Sequence, residues 1–127
     1  MNRLSKILKY PFQALLAASL VAGCKPNNAA PTPLAAEQIP TEMNKAFAGA
    51  KPETKAGVGK MLAALESKDY PVAYQFGQYL SAAPDITKRQ LLVTARAMLE
   101  INSLLQQASA QGDPRASGFI VYQKHNR

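Results

Sequence analysis

The sequence predicts an all-α fold, a small bundle of three to four helices that follows an apolar N-terminal segment and a proline-rich tether. Between residues 39 and 110, apolar side chains recur at intervals of three and four, which is the spacing of one face of a helix. Proline, glycine or a capping residue separates each periodic segment from the next. The roughly 100 residues that follow position 23 suit one small domain.

The N-terminal segment has the order of a secretory signal. Residues 1–9 carry three cations and no acid, and residues 10–23 are uncharged and rich in leucine and alanine. The apolar stretch of about 13 residues is short for a spanning helix, which needs about 20. An amphipathic or buried N-terminal helix is the alternative, but it does not need cations ahead of an uncharged run. We therefore expect residues 1–23 to be removed as a signal peptide.

The end of this segment, Val21-Ala22-Gly23-Cys24, resembles the lipobox of bacterial lipoproteins. The resemblance implies cleavage between Gly23 and Cys24, with a diacylglycerol group and an N-acyl chain attached to Cys24. No other cofactor is expected. Two or three acyl chains form a durable anchor, since each buried methylene contributes about 0.8 kcal/mol. The resemblance thus implies a membrane as one partner, reached through the lipid.

Cys24 is the only cysteine, so no disulfide forms within the chain. A free cysteine is often buried and inert, but the following residues, KPNN, are poor core formers. In two-membrane bacteria, lipoproteins kept in the inner membrane tend to carry aspartate at the next position, which here is Lys25. The resemblance therefore implies the bacterial cell envelope, and favours the periplasmic face of the outer membrane.

Residues 24–38 are expected to be the lipidated cysteine and a flexible linker, because residues 25–36 hold three prolines and no helical period. The helical domain is expected at residues 39–112. Pro40 and Pro52 each suit the first turn of a helix, where the missing N–H costs no hydrogen bond. The apolar residues of these first two helices are Ile39, Met43, Phe47, Val58, Met61, Leu62 and Leu65.

A third helix is expected to begin near Pro71. Within it, Ala73 and Gly77 lie one turn apart and form a small-residue groove that another helix can approach closely. The run Asp69-Tyr70-x-x-Ala73 resembles the start of the second helix of a tetratricopeptide repeat. It covers about one repeat and lacks the repeat's Leu-Gly pair. The resemblance therefore implies one helical hairpin, not a peptide-binding array, which usually needs three or more repeats.

The longest helix is expected from the capping box Thr87-Lys88-Arg89-Gln90 to about Ala110. Arg96, Glu100, Ser103 and Gln107 give it only a narrow polar stripe, so it should bury more than half of its surface or meet a partner. Asn102 among its apolar positions either fixes register in an oligomer or is an ordinary hydrogen-bonded or rim residue. The candidate interaction residues of the domain are Ala73, Gly77, Leu91, Met98, Asn102 and Leu105.

The tail, residues 113–127, contains a short β-prone run from Phe119 to Tyr122 and a basic end. Three outcomes are open: docking on the bundle, addition to a partner's sheet edge, or disorder.

The sequence contains few residues that could support catalysis. The single histidine, His125, lies near the C-terminus, and Cys24 is committed to lipid. A nucleophile therefore lacks its base, and a metal site lacks His and Cys ligands. We expect no enzyme activity and no metal. An enzyme built on clustered acids is the least favoured alternative.

The leading hypothesis is a non-catalytic interaction or structural module, with an envelope protein or a second copy as partner. The alternative is a carrier of a lipid or small apolar ligand, in a cavity lined by Phe47, Phe76, Tyr79 and Met98. Removal of residues 1–23, which carry three cations and no acid, reduces the formal net charge from +7 to +4. This mild positive charge favours anionic headgroups or other polyanions, although surplus lysine is also ordinary surface. The export signal argues against a nucleic-acid partner, because it implies that the domain lies outside the cytoplasm.

Overall fold

The computed structural model describes residues 30–127. A 3-10 helix at Ala36–Gln38 precedes five α-helices. The helices are α1 (Ile39–Ala46), α2 (Pro52–Glu66), α3 (Tyr70–Ser81), α4 (Lys88–Ala110) and α5 (Pro114–His125). No strand occurs between residues 30 and 127. The predicted all-α bundle is confirmed, with one helix more than expected. The signal peptide and the cleavage and lipidation site at Gly23 and Cys24 lie outside the described residues.

The helix starts follow the local signals of the sequence. The Thr87 hydroxyl accepts a hydrogen bond from the backbone N–H of Gln90 at 3.1 Å, and the Gln90 side chain accepts from the Thr87 N–H at 3.0 Å. This reciprocal pair is the predicted capping box of α4. Asp69 and Asp113 cap α3 and α5 with their carboxylates, each directly ahead of the first turn.

Two helix ends use the same backbone motif. The N–H groups of Asp69 and Asp113 bond the carbonyl five positions back, at 2.8 Å and 3.0 Å. Each motif places the preceding residue in the left-handed region, with φ of +59° at Lys68 and +93° at Gly112. Glycine adopts this conformation without a Cβ penalty, whereas lysine does not. The turn after α2 is therefore more strained than the turn after α4.

The hydrophobic core is formed mainly by residues of α1, α2, α3 and α4. Helix α4 packs against α1 and α3, and α2 packs against α3 and α1. Gly57 near the start of α2 faces Leu80 near the end of α3, so these helices form the predicted antiparallel hairpin. The buried Gln90 donates its side-chain amide to the Ala46 carbonyl at 3.3 Å and joins α1 to α4. The largest fully buried side chains are Phe47, Ile39, Met43, Met61, Leu80, Ile101, Leu105, Val58 and Thr94.

Part of the expected linker is folded. Leu34 is only 3% exposed, and its N–H donates to the Arg96 carbonyl at 3.2 Å. The Arg96 guanidinium donates through Nε to the Thr32 carbonyl at 2.8 Å. Residues 32–38, which we expected to belong to the flexible linker, instead pack along α4 because Leu34 contributes to the core.

The tail is a helix. The expected β-prone run Phe119 to Tyr122 lies inside α5, which begins at the Asp113 cap with Pro114 in its first turn. The Phe119 ring packs edge-on against Tyr74, with 5.7 Å between centroids, and Ala116 is fully buried. Strand propensity is a weak preference that packing overrides. Of the three outcomes left open, docking on the bundle is the one observed, in helical form.

Candidate interaction surface

The Ala73–Gly77 groove is occupied by the protein's own α4. A Cβ built on Gly77 would lie 2.7 Å from Cγ of Met98, and Ala73 is fully buried. The Ser81 hydroxyl donates to the Gly77 carbonyl at 2.8 Å and lies 3.7 Å from the Met98 sulfur. The predicted close approach is present, but it belongs to the core. The expectation that these residues form a free contact surface is wrong.

The other candidate residues on α4 divide between core and surface. Leu105 is fully buried and Met98 is half-buried against Gly77, so neither is free to meet a partner. Leu91 and Asn102 are exposed. Only these two of the six predicted interaction residues lie on an accessible surface.

Two further leucines complete an apolar surface on α4. Leu91, Leu92 and Leu99 are 44%, 51% and 42% exposed, and Asn102 lies beside them one turn from Leu99. We call these four residues the outer α4 face. The sequence did not single out Leu92 and Leu99, because α4 is apolar over most of its circumference and the exposed side depends on what packs against it.

The predicted polar stripe of α4 is only partly the solvent side. Ser103 and Gln107 are exposed, but Arg96 and Glu100 are half-buried. Arg96 is covered because the segment around Thr32 packs across it. The packed N-terminal segment therefore covers part of the polar stripe of α4, while the leucines of the outer α4 face remain exposed to solvent.

The start of α4 is basic. Lys88 and Arg89 are exposed in its first turn, which contains no acid. This is an unfavourable place for cations, because the helix dipole is positive at its N-terminus. The ion pairs within residues 30–127 are Lys51 with Asp85 at 3.2 Å and Arg115 with Asp69 at 3.0 Å. Neither pair uses the cations at the start of α4.

Titratable chemistry is sparse in the described part of the chain. The side-chain hydrogen bond from Lys51 lowers the pKa of the exposed Asp85 carboxyl, with a backbone hydrogen bond and the Lys51 charge adding to the effect. His125 contacts the Val121 carbonyl at 2.9 Å through Nδ1, within its own helix. No group of three His, Cys, Asp or Glu side chains among residues 30–127 is arranged to hold a metal ion.

An apolar groove lies between α2, the 3-10 segment and α4. It has a volume of about 650 Å³, and Leu62, Leu65, Tyr70 and Leu104 form its apolar wall. Three charged residues, Glu37, Glu66 and Lys68, also line it. This is not the cavity expected from the sequence.

The four residues predicted to line a ligand cavity are dispersed. Phe47 is in the core. The Lys60 ammonium lies over the Phe76 ring, with its Nζ 5.9 Å from the ring centroid. Tyr79 is exposed beside Gly57, and Met98 packs on Gly77. No groove found in residues 30–127 is lined by these four together. Helical spacing alone did not determine which neighbour each side chain meets.

Comparison of the chain with protein-family models, curated protein sequences and solved structures gave no match. Within the described helices, none is both long enough and apolar enough to cross a bilayer.

Proposed function

We propose that the chain is a lipid-anchored protein of the bacterial cell envelope, whose helical domain is a non-catalytic interaction module. The observation that supports the module most directly is the outer α4 face. Its leucines are about half exposed on a helix whose opposite side is fully buried. Apolar residues grouped at a surface are typical of contact sites, whereas scattered ones are not.

The proposed anchor is Cys24, which follows a basic, apolar and small-residue sequence in lipoprotein order. Thr32 is hydrogen-bonded to Arg96, and Leu34 is buried in the core. The proposed linker between the anchor and the domain is therefore residues 25–31. A fully extended linker of this length spans at most about 25 Å. The domain would therefore stay close to the bilayer.

The anchor is tested by the Cys24→Ala variant. We expect loss of lipid labelling and release of the protein from the membrane fraction, with the mature mass of the wild type showing the acyl additions on Cys24. Lys25→Ala is the matched control and should remain lipidated. An intact Met1 or an unmodified thiol on the natural protein would contradict the anchor.

The module is tested by placing a photo-cross-linking amino acid at Leu99 in cells. Val121, which is 53% exposed on α5, provides the matched control position. We expect cross-links to an envelope component from position 99 and few from position 121. Equal cross-linking from both positions would show that the outer α4 face has no special role.

A ligand carrier is the second candidate, and the groove at Leu62, Leu65 and Leu104 supports it. Its volume of about 650 Å³ lies within the usual range of about 300–1,000 Å³ for ligand pockets. Native mass spectrometry of protein purified from cells should then show a bound apolar molecule that the Leu62→Glu variant lacks. A ligand-free wild type would dismiss this candidate.

A further inference from the structure

We propose that the outer α4 face, together with Lys88 and Arg89, binds the surface of an anionic lipid bilayer. The basic pair contacts the headgroups, and the leucines enter the interfacial region. This inference names the partner of the module and rests on the proposed envelope function, but it does not require the lipid on Cys24.

The N-terminal segment leaves the described fold beside this face. Thr32 is held at the Arg96 guanidinium at 2.8 Å. Leu92 and Leu99 lie four residues before and three residues after Arg96, so they are its direct neighbours on the helix surface. A chain that leaves the fold at Pro31 therefore leaves beside these two leucines. A membrane-attached linker of residues 25–31 would hold this side of the domain near the bilayer.

The charges have the sign that an anionic surface attracts. Lys88 lies on the same line of the helix as Leu92 and Leu99, at steps of four and seven. Arg89 is its exposed neighbour, and the first turn of α4 contains no acid. Because two cations are unfavourable at a helix N-terminus, their presence is better explained by a partner than by helix stability. The nearest acid in sequence, Asp85, is already paired with Lys51.

The half-buried Glu100 is the one acid in α4, and it is next in sequence to Leu99. It makes no ion pair within residues 30–127. It lies three turns from Lys88, and so away from the basic end of the face. The basic residues therefore contact headgroups at the start of α4, and Glu100 remains at the edge.

The size of the surface favours a bilayer over a protein. A specific protein interface uses about 20–30 residues on each side, whereas this surface has three exposed leucines, Asn102 and two cations. Peripheral membrane binding needs less, since it combines a few inserted apolar side chains with attraction to anionic lipids.

The test uses the mature chain, residues 24–127, with Cys24→Ser so that no lipid contributes. Within residues 30–127 the buried core lies between Leu34 and Ala116, and this form contains all of those residues. Binding is measured by co-sedimentation with vesicles of phosphatidylglycerol and phosphatidylcholine, and with vesicles of phosphatidylcholine alone. We expect binding to the mixed vesicles, weakening as salt is raised, and little binding to phosphatidylcholine.

Two variants separate the charge from the apolar contribution. Lys88→Gln with Arg89→Gln should weaken binding by about fivefold for each cation removed, since a cation near an anionic surface contributes about 1 kcal/mol. Leu92→Ser with Leu99→Ser should weaken it by at least about tenfold. Val121→Ser, a change at a similarly exposed position on α5, should bind as the Cys24→Ser parent chain does. Circular dichroism and the unfolding midpoint show that each variant is folded.

The possible results are distinct. No binding of the Cys24→Ser chain to anionic vesicles, or unchanged binding of both double variants, overturns the proposal. If position 99 cross-links an envelope protein while the vesicle result is negative, the face belongs to a protein partner and the interaction module stands. If Cys24 proves unmodified in cells while the vesicle result is positive, the anchor fails and the bilayer surface stands.

Discussion

Replacing Gly77 by alanine tests how closely α3 and α4 pack. The new methyl group would lie 2.7 Å from Cγ and 3.0 Å from Sδ of Met98. Cγ is the first atom beyond Cβ, so rotation of the terminal methyl group of Met98 cannot relieve the clash. Either Met98 changes rotamer or the two helices move apart.

The magnitude follows from two opposing effects. Alanine is better than glycine in a helix interior by about 1 kcal/mol. Overpacking a filled contact costs about 1–3 kcal/mol. We therefore expect Gly77→Ala to lower the free energy of unfolding by up to about 2 kcal/mol.

Gly59→Ala is the matched control, because a Cβ there has no atom within 4 Å. It should gain about 1 kcal/mol from helix propensity alone, which raises the Tm by about 4–8 °C in a domain of this size. Urea unfolding gives both values. The clash is isolated by repeating Gly77→Ala in a Met98→Ala background, where the same change should become stabilising. If Gly77→Ala raises stability as much as Gly59→Ala does, the close packing of α3 on α4 is refuted.

Three further predictions concern helix ends and one ion pair. Lys68→Gly should stabilise by about 0.5–1 kcal/mol in urea unfolding because it relieves the positive φ, while Gly112→Ala should destabilise by about 1 kcal/mol; equal effects of the same sign would contradict the motif. Asp113→Ala should cost about 1 kcal/mol through loss of the α5 cap and speed hydrogen exchange in residues 114–125, whereas unchanged exchange would show that the cap is dispensable. The pKa of Asp85 is lowered from its ordinary value of 3.8, so its pairing with Lys51 stabilises above that pH and is lost as the pH falls through the lower folded-state value. The small difference in Tm between wild type and Lys51→Met should therefore be present at neutral pH, shrink in salt and vanish in acid, and a pH-independent difference would refute it.

Local signals in the sequence predicted the helix starts well. Pro52 and the Thr87–Gln90 capping box act within one turn, so their effect does not depend on the rest of the fold. Asp113 and Pro114 mark the end of α4, but they also begin α5, because an aspartate followed by proline suits an N-cap and first turn. The short β-prone run after them concealed this second role.

The features that depend on long-range packing were not predicted. Ala73 and Gly77 indicated a close helix contact, but their spacing did not show that Met98 of the same chain fills it. Leu34 is a single apolar residue among prolines and alanines, and only the position of α4 makes it a core residue. For the same reason, the sequence did not show which side of the uniformly apolar α4 remains in solvent, and so the exposure of Leu92 and Leu99 was not foreseen.

The hydrogen bonds of the N-terminal segment to Arg96 determine where mechanical force enters the domain. A pull on the chain before Pro31 reaches the middle of the longest helix, through the contacts at Thr32 and Leu34. These hydrogen bonds must break, and the Leu34 side chain must leave the core, before the force can unfold α1. The domain should therefore resist unfolding by force applied through the linker better than it would if that force acted directly on α1.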